Sequence, residues 1–376
     1  MGMRIVYILN NGGLLGANRS LLGTMEYMLK QGNKCFALIP EKHGVEAKFE
    51  ELGVEYAVIG YRPCVWYPGY VGLPFLVNIV RMPQILRTIK KWNVDLIHSN
   101  NSSHDIGMIA ALLLRKKHVW HIKEIMELSY QTKNIFPHFY SWLRKKSDAV
   151  ICVSDFVYRY QKDHYPNNYM FMVYNPYDVN YYDIRRTEFA PNKEITLLLA
   201  GGFSAYKRQM DSLKALAILK NRGIDNIKLI LVGGGLPETV KEIQDYIVMN
   251  QLENSVRVID FQMDIQQLRR CADIALCCSE NEALPRVVVE GMLGEMLIIG
   301  ADSGGIAELL QHSENGLLYQ PRDCENLADK IEYAINHKKE CWEMIRRAKE
   351  YAIENFELNR SGERILSIYR EILKKK

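Results

Sequence analysis

Short runs of β-branched and other apolar residues alternate along this chain with amphipathic stretches of helical period. Strand candidates fall at 4–9, 35–40, 56–59, 94–98, 119–122, 149–153 and 170–174, then at 195–200, 227–232, 256–260, 274–278, 296–300 and 316–319. Between them lie helix candidates such as 18–30, 75–92, 208–221, 236–250 and 324–336. Strands alternating with helices of this length predict βαβ units and parallel, doubly wound sheets, an α/β fold. Many of the strands are apolar almost throughout, as strands covered on both faces are.

The pattern restarts. Around 178–191 it breaks into polar residues and a turn-prone proline, and a new strand begins near Glu194. A chain of 376 residues is also too long for one ordinary core. We therefore expect a Rossmann-like domain over 1–183, a second over 184–355, and a closing helix over 356–376 that can pack back on the first. In such sheets ligands bind at the C-terminal edges of the strands, here facing a shared cleft.

Composition narrows the function. Hydrophobic residues make up 48% and charged residues 24%, the balance of a soluble globular protein. No apolar run approaches the roughly 18 residues of a membrane-spanning helix. The N-terminus turns polar too quickly for a signal peptide and reads as a buried strand. The eight cysteines have no C-x-x-C spacing, and Cys35, Cys152, Cys277 and Cys278 sit inside strand patterns. They read as small core residues in a reducing cytoplasm. Residues 1–183 hold 21 Lys+Arg against 15 Asp+Glu, and the remainder 27 against 29. A mildly basic first half suits an anionic partner, or is simply a solvated surface. A nucleic-acid role would need a stronger basic bias and a recognisable module, so none is expected.

Candidate chemistry gathers at the predicted strand ends. The first strand runs into Gly12-Gly13 ahead of a helix, a turn whose backbone N–H groups can approach a phosphate. A tight strand–helix turn explains the same glycines equally well, and the spacing is not G-x-G-x-x-G. After 195–200 the chain reads Gly201-Gly202-Phe203-Ser204-Ala205-Tyr206-Lys207-Arg208, where Lys207 and Arg208 suit a diphosphate. His121 lies near the end of its strand with Glu124 three residues on, though a lone histidine is more often structural. In "SENEALPRVVVEGMLG" (279–294), Glu282 falls in the loop above a strand and Glu290 in the helix that starts near Pro285 or Arg286. A lone acid beside three valines is costly unless something pairs with it.

Taken together, Gly12-Gly13, His121, Asn175-Pro176-Tyr177-Asp178, Lys207, Glu282 with Glu290, Ser303-Gly304-Gly305 with Glu308, and Asn315-Gly316 resemble glycosyltransferase family 4. The resemblance covers most of the chain and is strongest from Leu197 to Tyr319. It implies the GT-B architecture, two Rossmann-like domains facing a cleft, and retaining transfer from a nucleotide-diphosphate sugar, UDP- or GDP-linked. It places Glu290 on the ribose hydroxyls, Glu282 on the donor sugar, Lys207 on the leaving diphosphate, His121 beside the reacting sugar, and Gly12 and Gly13 over the diphosphate. Two departures stand out. The family's loop arginine is replaced by Gly201 and Gly202, with Arg208 the nearest substitute. Its Gly-Phe-Gly after the first Glu is Ala283-Leu284-Pro285 here. Pro285 lacks an N–H, so the backbone of Arg286 becomes the expected donor to a phosphate in this loop.

The resemblance to enzymes of bacterial surface polysaccharide implies a glycan or lipid-linked acceptor. The chain has no D-x-D, so no metal and no other cofactor is expected. A sugar-nucleotide 2-epimerase of the same architecture is the alternative. A nicotinamide-dependent dehydrogenase is disfavoured by the missing G-x-G-x-x-G. The segment 60–75, with Tyr61, Trp66, Tyr67 and Tyr70, leads into a helix carrying Arg81, Arg87, Lys90 and Lys91. An aromatic loop beside a basic helix suits peripheral contact with an anionic membrane, at its cytoplasmic face, and is equally compatible with a packed loop and an ordinary surface helix.

Overall fold

The computed structural model describes residues 2–66, 73–129, 131–192 and 194–375. Tyr67 and Tyr70 of the aromatic segment lie outside them. The chain divides into two compact units. One comprises the residues up to Asp178 together with those from Phe356 onward, and the other runs from Val179 to Asn355. The division falls earlier than the expected 183/184 because the short helix Val179–Tyr182 belongs with the second unit, where the Tyr182 hydroxyl accepts from Arg286.

The first unit contains β1 (Arg4–Ile8), β2 (Lys34–Ile39), β3 (Glu55–Val58), β4 (Val65–Trp66), β5 (Leu96–Asn100), β6 (Lys117–Ile122), β7 (Lys133–Asn134), β8 (Ala149–Cys152) and β9 (Met170–Met172). Seven of these form a parallel sheet in the order β3-β2-β1-β5-β6-β8-β9. The antiparallel pair β4–β7 stands apart and is not legible as strand in the sequence. Alternation along β1 divides the core: Ile5 and Tyr7 enter one buried cluster, Val6 and Ile8 the other. Each fully buried aliphatic side chain of this kind stabilises the fold by about 1.5–3 kcal/mol. The C-terminal helix Leu358–Lys374 packs on the Gly16–Lys30 helix of this unit, with Ile365, Ile368, Tyr369 and Ile372 aligned on its inner face.

The second unit contains β10 (Ile195–Ala200), β11 (Ile227–Val232), β12 (Val256–Ile259), β13 (Ile274–Cys277), β14 (Leu297–Ala301) and β15 (Leu317–Tyr319). They form a parallel sheet in the order β12-β11-β10-β13-β14-β15. All thirteen strands expected from the sequence appear, with ends displaced by about two residues at most. In each sheet the strand order reverses once, between β1 and β5 and between β10 and β13. Those two reversals are where doubly wound sheets leave a crevice for a ligand.

Candidate active site

Two loops flank the reversal of the second sheet. The loop after β10 begins at Gly201 and Gly202. It lies backbone to backbone on the glycine run that follows β11: the Phe203 N–H donates to the Gly234 carbonyl at 2.7 Å, and a Cβ on Gly235 would come 2.6 Å from the Phe203 carbonyl oxygen. Gly233 likewise leaves no room for a Cβ against the Gly201 carbonyl. The sequence reading missed Gly233-Gly234-Gly235. Its signal, glycines directly after a β-branched strand, is the one that drew attention to Gly201-Gly202.

Lys207 and Arg208 end this loop and behave differently. The Lys207 ammonium forms an ion pair with the Glu282 carboxylate, which belongs to the loop after β13. Arg208, in the left-handed conformation at φ 52°, is the N-cap residue of the helix Gln209–Asn221. Its guanidinium grips the buried Asp211 carboxylate through two bonds of 2.7 and 2.9 Å and also reaches Glu280 at 3.2 Å. Those bonds, Asp211 first, raise the Arg208 pKa above its ordinary value. Arg208 therefore braces the loop, and Lys207 is the cation beside Glu282. Glu280 also pairs with Arg322, whose hydrogen bonds hold the Glu280 carboxyl below its ordinary pKa.

The Glu282 loop is held from behind by the glycine pair after β14. The Asn281 N–H donates to the Ser303 hydroxyl at 3.0 Å, and the Gly305 N–H donates to the Glu282 carbonyl at 2.7 Å. Gly304 sits at φ 55° against Asn281. These glycines serve close packing of two loops, and the Gly305 N–H is spent on protein.

Pro285 is the N-cap residue of the helix Arg286–Leu293, where its missing N–H leaves no hydrogen bond unmade. Leu284 and Ala283 before it are buried. Glu290 is 3% exposed, with Val288 and Val289 fully buried beside it. What pairs with this acid is a pair of arginines. Arg269 donates to one carboxylate oxygen, and Arg286, one turn earlier on the helix, donates to the other at 2.8 and 3.1 Å. The side chain of Arg286 thus has a job beside the expected role of its backbone. Arg269 was not legible as a site residue.

In the first unit the loop after β1 folds on itself. The Gly13 N–H donates to the Asn11 side chain at 3.0 Å, and the Asn18 amide donates to the Gly13 carbonyl at 2.8 Å. Gly12 lies against the backbone of Glu41 and His43, with no space for a side chain. His121 is fully buried within β6, paired with Ile151 of β8, its ring 5.2 Å from that of His98. Burial, with Lys123 next, pushes its pKa well below the ordinary histidine value. The residues just beyond it reach further: the Glu124 carboxylate accepts from Asn101 at 3.2 Å and lines an open cleft of about 330 Å³ with Asn10, Asn11, Asn18, Asn101 and Ser103. That cleft lies at the ends of β1, β2, β5 and β6, and His121 is not part of its lining.

Two doubly wound units, the second with a cation and two carboxylates at its strand-order reversal, define a GT-B architecture. Residues 15–181 match the family model described as Glycosyltransferase Family 4, and residues 181–351 match that of Glycosyl transferases group 1. The chain belongs to this family of glycosyltransferases. It is 28% identical over 216 residues to N-acetyl-alpha-D-glucosaminyl L-malate synthase of Bacillus anthracis, covering 56% of this chain and 55% of that protein. It is 27% identical over 283 residues to an uncharacterized glycosyltransferase of Methanocaldococcus jannaschii, covering 71% and 72%. The chain thus spans little more than half the length of the first of these relatives. A crystal structure of Anabaena HepE in complex with UDP has the same fold, with a TM-score of 0.84 at 22% identity over 98% of this chain and 100% of that one.

Proposed function

We propose that this chain is a retaining, metal-independent hexosyltransferase that takes a sugar from a UDP- or GDP-linked donor to a glycan or lipid-linked acceptor in the building of bacterial surface polysaccharide. The observation that carries the reading is the Lys207–Glu282 pair across the β10/β13 reversal, with Glu290 fixed one helix further on. A diphosphate and the sugar attached to it are neighbours, so the groups that serve them must be neighbours too. Lys207 turns to the leaving diphosphate as a point charge. Glu282, released, accepts hydrogen bonds from hydroxyls of the donor sugar. Glu290, held in place by its arginines, is the carboxylate for the ribose hydroxyls.

The chemical step breaks the bond between the sugar C1 and the diphosphate oxygen and forms a bond from C1 to an acceptor oxygen on the same face. The acceptor's proton goes to the leaving phosphate. Positive charge at Lys207 stabilises the charge that develops there, the kind of preorganised electrostatics that supplies most of many enzymes' rate enhancement. The polar cleft of the first unit, rich in asparagine amides, suits the acceptor's hydroxyls. The relative named as a glucosaminyl L-malate synthase and the fold shared with a UDP-bound protein support the donor class.

Product analysis tests this. With donor and a polyprenyl-linked acceptor, the anomeric configuration is retained in the product and EDTA leaves the rate unchanged. Release of an epimerised nucleotide sugar without any acceptor, or a strict Mg²⁺ or Mn²⁺ requirement, contradicts it.

A further inference from the structure

Among its described residues the first unit carries an exposed apolar surface. The helix Pro74–Trp92 buries Ile85, Ile89 and Trp92 in the core. Its N-terminal half turns Leu76, Val77, Ile79 and Val80 outward, and Ile79 and Val80 are 63% and 73% exposed. Arg81, Arg87 and Lys91 follow, also exposed, so the outer side of one helix passes from apolar to basic. The helix Pro137–Lys146 continues the apolar surface: Phe136 before it and Phe139 and Trp142 on it are all exposed, and the last two stack at 5.8 Å. The two regions are joined by the edge-to-face contact of Phe75 with Phe136 at 5.2 Å and by the β4–β7 pair. Monomeric proteins rarely leave so much contiguous apolar surface without a use for it.

Charge identifies the occupant. The chain as a whole is nearly balanced, with 48 Lys+Arg against 44 Asp+Glu. Between Glu55 and Asp95, however, there is no acid at all, while Arg62, Arg81, Arg87, Lys90 and Lys91 are present. Between Glu127 and Asp148 there is again none, and Lys133, Lys145 and Lys146 are present and exposed. Both segments that form the apolar surface have thus shed every carboxylate. A second copy of the chain docking by this face would set cations against cations around a two-fold axis. An anionic bilayer interface has no such conflict: apolar side chains enter the boundary of headgroups and acyl chains, and lysines and arginines stay at the phosphates.

We infer that this face, the outer side of the Pro74–Trp92 and Pro137–Lys146 helices, docks the protein on the surface of an anionic membrane. No helix among the described residues is long and apolar enough to cross a bilayer, so the contact lies in the interface. Of the aromatic residues expected in such a contact, Trp66 is exposed, whereas Tyr61 is buried and its hydroxyl bonds to the carbonyls of Leu9 and Leu38 at 2.5 and 2.8 Å.

Vesicle flotation of the full chain tests it. The protein floats with vesicles of phosphatidylcholine containing phosphatidylglycerol, not with phosphatidylcholine alone, and binding falls as salt rises. The double substitution I79E/V80E lowers partitioning about tenfold or more. F139S/W142S on the second helix does the same, and neither changes donor-induced thermal stabilisation. R87A/K91A weakens binding and flattens its salt dependence. No flotation of the unaltered protein with anionic vesicles, equal flotation of I79E/V80E, or a wild-type dimer that those substitutions dissociate while lipid binding is absent, overturns it.

Discussion

Lys207 and Glu282 form an ion pair between the loop after β10 and the loop after β13, on opposite sides of the point where the second sheet reverses its strand order. Each neutralises the other. Under the proposed function a diphosphate draws Lys207 away and releases Glu282 to the neighbouring sugar, so the two groups are expected to act as a unit. Lys207→Ala and Glu282→Ala should each lower transfer by about 10²-fold or more, and the double variant should lose less than the product of the two. Steady-state kinetics of the three variants decide it. Near-normal rates in either single variant would remove the pair from the reaction.

Arg269 and Arg286 share one buried carboxylate, Glu290. Arg269→Met removes a charged partner from that buried acid, and should destabilise the second unit by about 2 kcal/mol or more. Adding Glu290→Met to it should restore much of the stability while donor affinity stays lost. Urea titration and donor binding, measured on the same preparations, separate the two effects. An R269M protein as stable as the parent would mean that the arginine does not support Glu290.

The contrast between these residues shows what a sequence can disclose. Glu282 and Lys207 were legible because a residue just past an apolar strand has a predictable place at the sheet edge. Glu290 was legible as an anomaly, an acid among valines. Its partner Arg269 was not, since it sits 21 positions away on the helix Gln266–Cys271, and nothing local signals that meeting. Its nearness to a strand end predicts His121 in the cleft. But β6 runs on to Ile122 and is paired on both edges, so His121 lies inside the sheet and Glu124 is the first side chain to reach the cleft. Tyr61 looked like part of an exposed aromatic loop, and a pair of carbonyls at the ends of two strands holds it in the core. The layout of both sheets, by contrast, follows from local pattern and was read almost entirely.

The glycines after β11 give a prediction of a different kind. Gly235→Ala forces a Cβ toward the Phe203 carbonyl and displaces the loop that carries Lys207. Gly234→Ala, whose nearest neighbour is the Phe261 side chain at 3.9 Å, is the matched control. Misplacing a catalytic loop by about 1 Å can cost on the order of 10²-fold in rate, so G235A should lose most of its kcat/KM and G234A little. Equal effects would argue against the close packing of the two loops as the cause.

Four buried histidines predict acid sensitivity of the first unit. Burial pushes His104 down to about 4 and His118 to about 3, and holds His98 and His121 well below the ordinary value. The neutral form is the one that folds. Below about pH 6.5 the unfolded chain takes up protons that the native state refuses, so stability is intact above that pH and falls as pH decreases toward the native values. His104 and His118 alone amount to roughly 3 kcal/mol per pH unit in that window. Urea midpoints at pH 7.5 and pH 5.5 should therefore differ strongly, and His118→Gln should reduce the slope. Identical midpoints would contradict the assignment.

The most direct test of the donor site is thermal denaturation of the full chain with UDP-, GDP-, dTDP- and ADP-sugars, run in parallel on Lys207→Ala and Glu290→Gln. A ligand that binds only the folded state raises its apparent stability by about 2.7 kcal/mol at one hundred times its Kd. At least one UDP- or GDP-sugar should raise the Tm of the unaltered protein, and that rise should shrink or vanish in both variants. A Tm unmoved by every nucleotide sugar, or a rise that both variants retain in full, would contradict a donor site built on Lys207, Glu282 and Glu290.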